Sequence, residues 1–178
     1  MPIREFEQKK PKIAATAFID PMALVIGDVT IGECSSLWPM VVVRGDVHRI
    51  LIGHHTNIQD GTIIHVAHAS EYQKKGFSTK VGNYITVGHQ VVLHGCTIED
   101  ECLIGIGARV LDGAVVEHHT MVGAGSLVPP GKILESGYLW LGVPVRKARQ
   151  LTEAEMAFFK YSAEHYCELK ERYELSLK

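Results

Sequence analysis

Three histidines, His65, His89 and His94, lie in a segment that also carries Arg44, Asp46, Gln59 and Asp60. Neutral imidazoles are common ligands for zinc and related divalent ions. Three of them leave such an ion doubly charged with positions open for water. An ion held this way brings water to a pKa of about 7, which supplies a nucleophile at neutral pH. The spacing of the histidines is unusual. His89 and His94 are five apart. On an α-helix that separation puts side chains about 140° apart, and on one strand it turns them to opposite sides. Neither element aims both at one point, so another architecture must position them.

That architecture is written as a repeat of six. Aliphatic residues recur at Ile13, Ile19, Val25, Ile31, Leu37 and Val43, then after three extra residues at Ile52, Ile58 and Ile64. A long insertion follows. The series returns at Val81, Val87 and Leu93, loses one residue, and continues from Ile98 through Ile104, Val110, Val116, Val122 and Val128 to Leu134. Glycine often follows the aliphatic residue, as at Gly32, Gly53, Gly88 and Gly105. Each hexad reads as a short strand and a tight corner, with the aliphatic side chain inward and glycine easing crowding. A β-sandwich does not keep such a register. The pattern over residues 13–145 resembles the hexapeptide-repeat proteins. That resemblance implies an all-β fold, a left-handed parallel β-helix of triangular cross-section with three hexads per coil.

Beyond Pro144 the composition changes, and residues 151–173 read as a helix. Thr152 and Glu155 form a capping box. Met156, Phe159, Ala163 and Tyr166 make one helical stripe, suited to packing on the β-helix or on a neighbouring subunit. The chain therefore divides into a β-helix over 1–150, with an inserted loop at 67–79, and a C-terminal helix over 151–178.

Grouping hexads in threes lines up the side chains. Val43, Ile64 and Leu93 open the third hexads of successive coils, so Arg44, His65 and His94 should form a column, with coils about 4.8 Å apart. Ile58 and Val87 open second hexads, which stacks Asp60 under His89. His89 then lies on a different face from His65 and His94. Packing three prisms about a three-fold axis brings His89 of one subunit to the His65 and His94 of the next, in a closed homotrimer.

At this point the sequence resembles the γ-class carbonic anhydrases over nearly its whole length. The carriers are Arg44-Gly45-Asp46, Asn57-Ile58-Gln59-Asp60, His65, Gly88-His89 and His94-Gly95. The resemblance implies zinc on His65, His89 and His94 between subunits, with cobalt or ferrous iron suited to the same ligands. It implies hydration of carbon dioxide to bicarbonate by zinc-bound hydroxide. In that family Arg44 and Asp60 would meet across the interface, Gln59 would orient the water, and Tyr166 would lie near the metal. Asp46 is placed to hold Arg44. A purely structural salt-bridge network accounts for Arg44, Asp46 and Asp60 equally well. The loop beside His65 offers His68, Glu71 and Tyr72 as proton carriers. Highly active relatives have a more acidic loop, whereas this one bears Lys74 and Lys75. His54, His55, His118 and His119 fall at corners three coils apart, too far to share an ion.

Two other functions fit the fold. One is an acyl-coenzyme A-dependent acyltransferase, which needs a single histidine base. The other is a metal-stapled trimeric scaffold. A net charge of −2 and the lack of a basic run argue against nucleic acid and anionic membranes as partners. No stretch has the length and apolarity of a membrane span. The N-terminal residues carry no apolar leader, so a cytoplasmic location is expected, with Cys34, Cys96, Cys102 and Cys167 reduced.

Overall fold

The computed structural model describes residues 2–176. The chain winds as a left-handed parallel β-helix of about 8 turns, followed by one helix. The hexad residues fall into three inward columns. Backbone pairing joins Ile13, Ile31, Ile52, Val81, Ile98, Val116 and Leu134 in the first. The second runs Ile19, Leu37, Ile58, Val87, Ile104 and Val122, and Trp140 closes it. The third runs Val25, Val43, Ile64, Leu93, Val110 and Val128. Most of these side chains have no exposure at all. Two- and three-residue strands suffice because each aliphatic residue stacks on its equivalents above and below. Burying one such residue contributes roughly 1.5–3 kcal/mol.

The irregular spacings have local causes. Strand Val42–Ile52 runs straight through a corner, beside Leu24–Ile31. Their register jumps from Gly27 opposite Gly45 to Val29 opposite Ile50. The extra residues therefore project outward and carry Asp46 with them. Gly45 is required here, since a Cβ would sit 2.6 Å from the Asp28 carbonyl oxygen. The insertion after His65 leaves the stacking undisturbed: His65 pairs with His94, and Lys80 pairs with Thr97.

Two features at the C-terminal end depart from the repeat. Tyr138–Gly142 folds back on Val145–Gln150 as an antiparallel hairpin. This covers part of the last coil's edge, which would otherwise be left unpaired. Helix α1 then spans Glu153–Ser176. Its first turn is the reciprocal cap expected: the Glu155 amide donates to Thr152 Oγ1 at 3.2 Å, and the Thr152 amide donates to Glu155 Oε2 at 2.9 Å. Phe159 and Ala163 are buried, with Met156 and Tyr166 half-buried beside them. The helix lies on the second-column strands Ser36–Leu37, Asn57–Ile58 and Thr86–Val87 of its own chain. Among the described residues no helix is long and apolar enough to cross a membrane.

Candidate metal centre

His65 ends strand Ile63–His65, and His94 ends strand Val92–His94. The two residues are direct backbone partners. Their ring centroids are 5.1 Å apart at a tilt of 55°, and His65 Nδ1 lies 3.1 Å from His94 Nε2. The third-column register thus brings two imidazoles side by side on adjacent coils.

The other nitrogen of each ring is held by a carboxylate. His65 Nε2 is 3.0 Å from Asp46 Oδ1, while the second Asp46 oxygen accepts from the Arg44 guanidinium. Burial pushes the Asp46 carboxyl upward, but the hydrogen bonds from His65 and Arg44 outweigh it and hold the group below the usual carboxylate range. His65 is lowered from the ordinary histidine value, chiefly by burial, against the opposing pull of Asp46. The shift favours the neutral imidazole, the form that ligates metal. His94 Nδ1 is 2.5 Å from Asp112 Oδ1.

His89 stands elsewhere, two residues past Val87 in the second column. It stacks over Asp60, with Nδ1 2.9 Å from Asp60 Oδ2. Within one chain Arg44 therefore pairs with Asp46, and Asp60 pairs with His89. Gln59 is buried, and its amide donates to Asn57 Oδ1 at 3.1 Å. Asn57 donates to Thr86 Oγ1 at 3.0 Å, and that hydroxyl shares a 2.8 Å hydrogen bond with Ser162 of α1. A polar chain thus ties Gln59 to the helix. Tyr166 packs its ring edge on Trp38 at 5.6 Å. Burial, then the nearby charge of Asp60, raises its phenol above the ordinary value.

The donor set can be tested for fit to a metal. Two nitrogens on one tetrahedral zinc, each about 2.0–2.1 Å from it, stand roughly 3.3 Å apart. The 3.1 Å between His65 Nδ1 and His94 Nε2 is close to that value. Among the described residues no three ligand groups converge within the chain. The chain brings His65 and His94 together, and His89 faces outward, half-exposed, on a different column.

The loop at 67–79 closes on itself through paired Ala67 and Phe77, and Thr79 Oγ1 donates to the His65 carbonyl at 2.5 Å. His68, Glu71 and Tyr72 are exposed. Among the described residues no hydrogen bond links them to the imidazoles. Three other histidines have separate partners: His54 accepts from the Glu33 amide, His118 faces Glu99, and His119 faces Glu101. Sequence reasoning missed Asp112 and the Thr86–Ser162 link. Asp112 was reachable, because it stands two beyond Val110 in the column that carries His94. The Ser162 contact crosses between helix and β-helix and has no counterpart in the repeat.

No protein-family model matches the chain. Protein YrdA of Escherichia coli is 48% identical over 171 residues, covering 96% of this chain and 93% of that protein. Gamma carbonic anhydrase 1 of Arabidopsis thaliana mitochondria is 48% identical over 161 residues, covering 90% of this chain and 58% of the plant protein. The crystal structure of a hexapeptide transferase family protein from Anaplasma phagocytophilum superposes with a TM-score of 0.89 at 40% identity, covering 96% of this chain and 97% of that one. With its hexad columns and this degree of likeness, the chain belongs to the γ-carbonic anhydrase family of left-handed β-helix proteins.

Proposed function

We propose that this protein is a zinc-dependent hydratase converting carbon dioxide to bicarbonate, assembled as a homotrimer with one metal at each subunit interface. His65 and His94 of one subunit and His89 of the partner subunit would hold the ion. The observation that carries this reading is the pair of imidazole nitrogens 3.1 Å apart, each on a ring whose other nitrogen is occupied by a carboxylate. A zinc ion on three neutral imidazoles acidifies water to a pKa of about 7 and so supplies hydroxide at neutral pH.

The chain's own residues have distinct tasks. Asp46 holds both His65 and Arg44, so the cationic guanidinium stays close to the imidazoles, where it attracts the anionic product. Gln59 has its NH₂ group committed to Asn57, which leaves its carbonyl oxygen to accept from water. Asp60 orients His89 through Nδ1. Tyr166, kept neutral by burial, offers a hydroxyl at the helix side of the interface. His68, Glu71 and Tyr72, all in contact with solvent, are the candidates for carrying the proton away.

Stopped-flow measurement of carbon dioxide hydration, on protein of measured metal content and beside His94→Ala, tests the proposal. A rate that scales with zinc and vanishes in the variant is expected. Full zinc occupancy with no rate above buffer rejects the hydratase and leaves a metal-stapled scaffold.

A further inference from the structure

We propose that Asp112 is a positioning residue of this centre: it accepts the Nδ1 proton of His94 and thereby fixes the tautomer whose bare Nε2 faces His65. The inference rests on the reading that His65, His89 and His94 hold the ion. Asp112 lies outside the Arg-Gly-Asp and Asn-Ile-Gln-Asp segments that mark the site in the sequence, and it comes from the next coil.

The hydrogen bond is short, 2.5 Å from His94 Nδ1 to Asp112 Oδ1. The corner is shaped around it. Gly95 adopts φ +56°, and a Cβ there would fall 2.3 Å from Asp112 Oδ1, so any side chain at 95 would displace the carboxylate. The backbone on either side of Asp112 is pinned. The Gly113 amide donates to the Gly95 carbonyl at 2.7 Å, and the Asp112 carbonyl accepts from the Gly131 amide at 2.8 Å. Among the described residues no lysine or arginine pairs with Asp112, in contrast to Asp46, which is shared with Arg44.

Asp46 takes Nε2 of His65, Asp60 takes Nδ1 of His89, and Asp112 takes Nδ1 of His94. What remains is Nδ1 of His65, Nε2 of His89 and Nε2 of His94. A neutral imidazole carries its proton on one nitrogen only, so a carboxylate at the first makes the second an acceptor and raises its basicity. Without Asp112, His94 can place its proton on Nε2 or turn its ring, and either change removes a ligand.

The test compares Asp112→Ala, Asp112→Asn and His94→Ala by zinc competition with a chromophoric chelator. The tautomer of His94 is read by long-range ¹⁵N–¹H correlation after metal removal. Asp112→Asn keeps the side-chain size and guards against misfolding of the alanine variant, and thermal melts confirm equal folding. We expect Asp112→Ala to weaken zinc binding about 10–100-fold, Asp112→Asn to weaken it less, and an Nε2–H form of His94 to appear in the alanine variant. Affinities within twofold of the parent and an unchanged Nδ1–H tautomer, with zinc lost from His94→Ala, overturn the role of Asp112 alone. Zinc retained by His94→Ala overturns the metal-centre reading and this proposal with it.

Discussion

The corner after the first column and the corner after the third share one backbone device and use it in opposite ways. Both turn through a residue of positive φ. At the first corner those residues carry side chains: His55 at φ 53°, Tyr84 at 54°, Glu101 at 53° and His119 at 51°. At the third corner they are glycines, Gly95 at 56°, Gly113 at 70° and Gly131 at 68°. Left-handed backbone costs a side-chain-bearing residue roughly 1–2 kcal/mol. At the first corner packing offsets that cost. His55 stacks on Tyr84 at 4.7 Å, Lys160 of α1 lies 5.6 Å from the Tyr84 ring, and the Cys167 thiol reaches the Cys34 carbonyl at 3.2 Å. At the third corner the absent side chains leave room for Asp112 against His94 and for the Phe77 ring against Gly113. Histidines are present at both. Only at the third do two of them occupy the same place on adjacent coils, with ring nitrogens 3.1 Å apart.

Histidine-to-alanine exchanges should split the two corners most sharply. His65→Ala should bring the zinc content of purified protein down to background, as measured by plasma mass spectrometry. Replacing His54, His118 and His119 together with alanine should leave zinc at the parent level, because each already faces its own partner: the Glu33 amide, Glu99 and Glu101 respectively. Zinc lost from the triple variant would erase the distinction between the corners.

A smaller effect is expected at the glycines themselves. Gly95→Ala combines an unfavourable φ with a Cβ driven into the Asp112 carboxylate, and should destabilise the fold by about 2–5 kcal/mol while weakening zinc binding. Gly107 has a similar φ of 69°, but a methyl added there would meet nothing within 4 Å, so Gly107→Ala should cost only about 1–2 kcal/mol and leave zinc unaffected. Chemical denaturation of the two variants, with zinc titration, checks the contrast.

This contrast also marks how far the sequence can be read. Counting by six put Ile64 on Leu93 and therefore His65 on His94, because an inward aliphatic column tolerates no slip: a shift of one would turn it out to solvent. The left hand of the coil came from family resemblance, since spacing alone carries no chirality. The antiparallel hairpin at Tyr138–Gly142 and Val145–Gln150 escaped the count, because the repeat ends there and Trp140 stands where an aliphatic residue had stood. Asp112 escaped for a different reason. The repeat gives its place, but whether its carboxylate reaches an imidazole depends on the path of the corner and on the small volume at Gly95. The link from Ser162 to Thr86 depends on how the helix docks, which no local pattern encodes.

The smallest expected effect concerns the helix that covers the first corner. Its first turn is tied down by Glu155, which takes both guanidinium nitrogens of Arg149 at 2.8 and 2.7 Å and the Thr152 amide at 2.9 Å. Arg149 above all, then the Thr152 amide, draws the Glu155 carboxyl down to about 2 from an ordinary 4.5. A carboxyl lowered by folding stabilises fully above its unfolded pKa, and that contribution is lost as pH falls through the folded value. The anchor should therefore hold above pH 4.5 and loosen progressively as pH drops toward 2. Hydrogen exchange at the Met156 amide, which donates to the Thr152 carbonyl at 3.1 Å, should report the loosening. In Glu155→Gln that amide should be less protected at about pH 6, and its protection should no longer vary over this range. The group is exposed and salt screens its ion pair, so added salt should shrink the difference between parent and variant. If protection at Met156 is the same in both proteins from about pH 6 to about pH 2, the side-chain-rich corner is held by packing alone, and the charged cap contributes nothing to covering it.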